Sequence, residues 1–261
     1  MLRSISRVRV PPASEPFSLP APVGGWNARD ALANMDEKDA IILENFFPRP
    51  TSVEVRNGYT SHFASLSGQV QSLITWNGPS SEKLFAAAGT IIIDVTTAGT
   101  ASNTGTAVDG LANAKFQSVN FTNPAGTNYA MAVNGADKMI KFDGSNWTTS
   151  TATCTGGFST SSFIYLNVFK GRVFGVEKQS LRARYFETGA VTGTVRSVDL
   201  SGFAMWGGSL VFMATWTLDA GSGVDDYAVF GTSEGEVFVF AGTAPDSAST
   251  FAMKGRWKLG A

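Results

Sequence analysis

The chain has 261 residues, 43% hydrophobic and 16% charged, with 20 basic against 21 acidic side chains and a formal net charge of -1. That length supports one large domain or two small ones, and the balanced charge excludes a globally basic protein drawn to nucleic acid or anionic membrane. A single cysteine, Cys154, and a single histidine, His62, exclude an internal disulfide framework, a cysteine zinc cluster and a histidine-pair metal site, and count against a histidine-based triad.

Residues 1–25 hold Pro11, Pro12, Pro16, Pro20 and Pro22 with scattered apolar side chains, which predicts an extended arm without a core of its own. Arg3, Arg7 and Arg9 precede the first acid, Glu15, so the tip is basic. It reads either as a solvated tail or as an arm gripping a neighbouring subunit. No apolar stretch follows the positive start, and no run approaches the roughly 18 apolar residues of a membrane helix. A soluble protein made in a cytosol, without membrane insertion, is therefore expected. The acidic opening of Asp36–Asn45, followed by Ala40, Ile41, Ile42 and Leu43, predicts one short helix over about 36–46. Asp36 would cap it, and Pro48 and Pro50 would end it after Phe46 and Phe47. Residues 52–58 alternate and turn, as a strand entering a hairpin does. Residues 26–65 thus read as a helix-and-hairpin docking segment.

From about residue 66 the apolar period becomes two. Runs such as 70–76, 84–88, 90–95, 116–121, 129–133 and 139–142 alternate with Gly, Asn, Ser, Thr and Asp clusters. Further runs lie at 163–169, 173–176, 181–186, 210–216, 227–230, 236–240 and 251–257. Many short strands at this spacing predict an all-β sandwich, barrel or propeller. A repeated unit favours the last: Phe85, Tyr129, Phe174 and Tyr227 open similar strand–turn–strand segments at spacings of 44, 45 and 53 residues, near the roughly 40–50 of propeller blades. Residues 219–226, rich in Gly and Asp, supply the insertion behind the longest spacing. The expectation is an all-β, β-propeller-like domain over 66–261 with about four blades, closed or incomplete, behind the arm and the short helix. An irregular sandwich would mimic the pattern.

Candidate chemistry is sparse. Asp219, Asp225 and Asp226 beside Gly221 and Gly223 could meet a hard cation, though their spacing is not that of an EF-hand loop. Residues 231–236 lack the lysine and helix of a phosphate loop. Asp94, Asp143 and Asp199 could pair as glycosidase carboxylates in a central funnel, but aspartate at a turn is commonplace. Cys154 has no activating neighbour in sequence. The expectation is no enzyme, no cofactor and no bound metal.

One block is specific: Gly24–Pro50 followed by Val53–Tyr59. Its Gly24, Gly25, Asn27, Arg29, Asp30, Asp39, Ala40, Leu43, Asn45, Phe47, Pro48, Arg56, Gly58 and Tyr59 resemble the opening of tail nozzle, or tail tubular, proteins of short-tailed bacteriophages. The resemblance implies a structural virion protein of the tail, assembled in the host cytoplasm. It implies a homo-oligomeric ring of six copies that joins portal and adaptor to fibres or spikes and passes duplex DNA without tight binding. Such nozzles are usually longer, so the chain looks like the amino-terminal part of one. Subunit contacts are expected from Arg3, Arg7, Arg9, Trp26, Asn27, Arg29, Asp30, Phe46 and Phe47. The alternatives are a carbohydrate-binding or host-receptor-recognition propeller and a cytosolic propeller scaffold. The absent signal peptide weighs against the first, and the absent Trp-Asp repeat signature against the second.

Overall fold

The computed structural model describes residues 18–100, 106–154, 158–219, 224–247 and 249–260, so Arg3, Arg7 and Arg9 lie outside the described residues. The chain divides into two units, one ending at Thr60 and the other beginning at Ser61.

The described residues of the first unit hold four short strands. β1 (Gly25–Trp26) pairs in parallel with β2 (Asp39–Ala40), and β3 (Phe46–Pro48) pairs antiparallel with β4 (Val53–Val55). A single 3-10 turn occupies Leu32–Asn34. The helix expected over 36–46 does not form. The Asp36 carboxylate instead accepts the Lys38 N–H and its carbonyl accepts the Asp39 N–H, which closes a turn. Asp39 and Ala40 are then committed to β1, and Asn45 adopts a left-handed φ of 62°. Eleven residues lie below the roughly 12–15 at which an isolated helix becomes even marginal, and a short aspartate side chain bonding the local backbone draws it into a turn. The apolar residues are also consecutive, which gives a helix no single face to bury. The hairpin is displaced as well: its turn is Arg49–Ser52, closed by the Arg49 N–H on the Ser52 carbonyl, upstream of the strand and not beyond it.

The second unit is all β. It opens with β5 (Phe63–Ala64), and four sheets follow in chain order. The first contains β6 (Val70–Asn77), β7 (Glu82–Ala88) and β8 (Ile91–Asp94); beyond β9 (Gly99–Thr100), which pairs with β5, the chain returns as β10 (Thr106–Val108) beside β8. The second contains β11 (Gln117–Thr122), β12 (Asn128–Val133), β13 (Ile140–Phe142) and β14 (Trp147–Thr149). β15 (Thr153–Cys154) then joins the far edge of the third sheet, β16 (Phe163–Phe169), β17 (Arg172–Glu177), β18 (Arg182–Phe186) and β19 (Thr194–Asp199). The fourth contains β20 (Leu210–Asp219), β21 (Val224–Thr232), β22 (Glu236–Gly242) and β23 (Phe251–Lys258). Within each sheet, consecutive strands are antiparallel neighbours, apart from the late return of β10 and the parallel β15. The residues that defined the repeat, Phe85, Tyr129, Phe174 and Tyr227, all fall in the second strand of a sheet. The first strands lie side by side, β11 against β6, β16 against β11 and β20 against β16.

Successive sheets stack face to face, and each junction is a separate core. Ile74, Phe85 and Ile92 meet Ala130, Ile140 and Phe142 between the first two sheets. Phe121, Met131 and Val133 meet Phe163, Val173 and Phe186 between the next two. Phe174, Val176 and Tyr185 meet Met213, Phe230 and Phe238 between the last two. Alternate residues of one strand therefore serve different cores: Ala130 and Ala132 face backward while Met131 and Val133 face forward. That is why the second strands read as continuous apolar runs.

Candidate functional site

In the first unit, the residues that carry the resemblance are wired to one another. The Asn27 amide donates to Asp30 Oδ2 at 3.0 Å and to Asp39 Oδ2 at 2.6 Å, while its Oδ1 accepts the N–H groups of Arg29 and Asp30. Arg29 holds Asp30 with two bonds, Nε to Oδ1 at 3.0 Å and a second from Nη2 to Oδ2 at 3.1 Å. The Arg29 guanidinium, with Asn27 behind it, keeps the Asp30 carboxyl below the usual carboxylate range. Trp26 donates its indole N–H to the Ile41 carbonyl, and Arg56 binds Asn45 Oδ1 at 2.6 Å. These polar side chains fix a loop-rich scaffold that a 43-residue segment cannot fix by burial. Gly25 is the sole buried residue among the described residues of this unit.

What the scaffold presents is apolar. Trp26 is 69% exposed and Ile42 74%, with Ile41, Phe46, Phe47, Val55 and Tyr59 exposed alongside. Trp26, Ile41, Ile42, Leu43 and Glu44 line a shallow hollow of about 370 Å³. Of the expected subunit contacts, Trp26, Phe46 and Phe47 lie open, whereas Asn27 and Asp30 are spent on internal bonds.

The candidate catalytic residues have structural work. Asp94 and Asp199 end strands and Asp143 directly follows one, and each caps the next turn, accepting the N–H groups of Thr96, Ser145 and Ser201. Partial burial opposes the Asp94 charge, but the Lys83 ammonium at 2.8 Å and Thr96 outweigh it, so its pKa is lowered. Asp143 is lowered by the Asn146 and Ser145 N–H groups, and Asp199 by Ser201 and then Arg182. Asp226 is held by Lys170 at 2.9 Å and Thr217 at 2.7 Å. The middle of the 219–226 loop lies outside the described residues, and among those described no group of three or more His, Cys, Asp or Glu could hold a metal. A ring nitrogen of His62 lies 2.8 Å from the Val95 carbonyl. No described helix is long and apolar enough to cross a membrane.

These carboxylates set an expected pH dependence. A folded-state pKa below the unfolded value contributes stability above the unfolded pKa, near 3.9 for aspartate, and that contribution is lost as pH falls through the folded value. Thermal melts should therefore be flat from neutrality down to about pH 5 and fall steeply below about pH 4. The Asp143→Asn, Asp199→Asn double variant should show a shallower acid limb. An unchanged limb would mean that the turn carboxylates carry no linkage.

Sequence reasoning missed a second apolar surface, on the fourth sheet. One face packs on the third sheet through Phe230, Phe238 and Phe240. The other presents Trp216 and Trp257, each half exposed, over Val229, Val237 and the buried Val239. The signal was available in Val237–Phe240, which is apolar at every position and so reads as a strand meant to be covered on both sides. No family model and no curated protein matches the sequence.

Proposed function

We propose that the chain is a structural protein of a bacteriophage tail, a nozzle component whose four sheets are blades of a β-propeller and whose first unit is its assembly handle. The observation that carries the reading is the fate of the resembling block. Its polar residues bond one another into a scaffold without a core, and its apolar residues Trp26, Phe46 and Phe47 are left for a neighbour. The propeller arrangement is favoured by the four successive sheets and by their adjacent first strands. On this reading the protein forms a ring, of six copies as in the proteins it resembles, joins adaptor or portal to fibres or spikes, and lets the genome through.

The test is assembly. The full chain with Phe46→Asp and Phe47→Asp should melt within a few degrees of wild type, because both side chains are exposed, yet fail to complement a phage lacking the protein. Cryo-electron microscopy of wild-type particles should place the chain below the portal. Normal incorporation of the variant, or absence of the wild type from the tail, would overturn the reading.

Passage without grip is a second expectation. With charges balanced, the protein should bind duplex DNA weakly and without the steep salt dependence produced by neutralising about 6–10 phosphates. A titration in low and moderate salt that shows tight, salt-steep binding would point to a gripping role.

A further inference from the structure

The sequence holds three Asn-Gly pairs, at 57–58, 77–78 and 134–135. Asparagine is thermolabile, and a following glycine has no Cβ to shield its main-chain nitrogen from the asparagine side chain. Each pair is therefore a point where the backbone can attack the side-chain amide. Attack needs an amide free to swing over the backbone, a glycine N–H that is not already bonded, and open space for a five-membered ring. The fold leaves all of these to one pair.

Asn134 is locked. Its amide donates to the Asn113 carbonyl at 3.1 Å and to Asp137 Oδ2 at 2.7 Å, and its Oδ1 accepts the N–H groups of Ala136 and Asp137. At Asn77, the last residue of β6, the attacking nitrogen is occupied. The Gly78 N–H donates to the Ser81 carbonyl at 2.9 Å, and a Cβ on Gly78 would run into the Trp76 ring. Asn57 and Gly58 follow β4, outside any strand, and both are exposed. Among the described residues neither the Asn57 amide nor the Gly58 N–H has a hydrogen-bond partner, and nothing lies within 4 Å of where a Gly58 Cβ would stand.

We propose that Asn57 is a site of spontaneous deamidation and that the fold spares the other two pairs. The Gly58 main-chain nitrogen, losing its proton to base, bonds to Asn57 Cγ; the Cγ–Nδ2 bond breaks and ammonia leaves, which closes a succinimide. Water then opens the ring at one carbonyl or the other and gives aspartate or isoaspartate, with no change of oxidation state. Either product adds one negative charge beside Arg56, whose Nε donates to Asn45 Oδ1 at 2.6 Å and whose main-chain N–H donates to the Asn45 carbonyl at 2.8 Å. Isoaspartate also adds a methylene to the main chain just after Arg56. The change thus falls next to two of the bonds that hold a unit in which Gly25 is the sole buried residue among those described.

The experiment incubates full-length protein in mildly alkaline buffer at body temperature and follows it by intact mass and peptide fragmentation. The mass should rise by the exchange of an amide NH2 for OH, and the change should map to Asn57. A protein isoaspartate methyltransferase with a labelled methyl donor should label the same peptide. Asn134 should react at least about tenfold more slowly, because ring closure there must first release several hydrogen bonds. In concentrated guanidinium chloride the three pairs should react at similar rates. Mildly acidic buffer should slow the reaction at Asn57, since the glycine nitrogen then keeps its proton, and Asn57→Gln, which would need a six-membered ring, should remove the labelling there. Equal rates at the three pairs in the folded protein, or reaction first at Asn77 or Asn134, would overturn the proposal. So would a denatured chain that still favours Asn57, which would place the selectivity in the local sequence. Aspartate at position 57 without isoaspartate would also overturn it, because direct hydrolysis by water gives aspartate alone.

Discussion

Replacing Glu236 by alanine should lower the stability of the protein by about 3 kcal/mol, the lower end of what breaking a buried ion pair costs. Glu236 opens β22 and is fully buried. Its two oxygens accept the Met205 N–H at 3.1 and 3.2 Å, and Oε2 also accepts the Trp206 N–H at 3.3 Å. The Arg256 guanidinium stands 3.6 Å from Oε1 and donates to the Phe203 carbonyl. One carboxylate thus pins the loop between the third and fourth sheets, and Phe203 of that loop packs edge-on against Phe240. Alanine would orphan two N–H groups and a cation; because Arg256 keeps about a third of its side chain in water, the lower figure applies. For a domain of this size the melting temperature should fall by about 6–12 °C. Glu236→Gln keeps an acceptor and should lose roughly half as much. A melting temperature unchanged in Glu236→Ala would show that the loop is held by Phe203 alone.

A glycine should be as sensitive as that glutamate. A Cβ added at Gly175 of β17 would lie 2.3 Å from Cε1 of Phe163, a ring with no exposure that itself packs on Phe158 at 5.0 Å. The ring has no solvent into which to retreat, so Gly175→Ala should cost about 3 kcal/mol, the upper part of the range for overpacking a filled core. The cause is checkable by shape. Phe163→Leu alone should also destabilise, but the double variant should be more stable than the sum of the single effects, a coupling expected only where two residues occupy the same space. Strict additivity in thermal and urea melts would place the penalty in the backbone. The same device recurs at Gly231, beneath the ring of Phe212.

The body of the protein was legible because its signals are local and repeated. The run 163–169 is β16 to the residue, and the spacing of Phe85, Tyr129, Phe174 and Tyr227 found the second strand of all four sheets. The strands of this body that escaped are β5, β9, β10, β14 and β15, each of two or three residues, and the longer β19 next to a sheet edge, where Arg196 and Ser197 interrupt the alternation. The helix was misjudged for the opposite reason. Asp36, Asp39 and Asn45 favour helix ends on average, but here they serve a turn, a parallel pair and a left-handed corner. Their partners Asn27 and Arg56 lie up to 12 residues away, beyond the reach of a propensity argument. Of the candidate contacts, Phe46 and Phe47 are exposed and Asn27 and Asp30 are bonded within the unit, a division that depends on long-range pairing and not on residue type.

Three parallel pairs, β1 with β2, β5 with β9 and β15 with β19, join only two residues each. In the second unit one of them, β15 with β19, clips a connecting segment to the edge of the third sheet, and the other, β5 with β9, joins two connecting segments to each other, whereas strands within the four sheets exchange up to nine residue pairs. Under tension along the chain the two kinds of joint respond differently, since a two-residue clip shares the load between very few hydrogen bonds. Pulling should therefore open the clips first and pay out connector length at low force, with the sheets rupturing later and more abruptly. Such a chain is a set of stiff plates on short, releasable tethers, able to yield between its plates and recoil without refolding any of them.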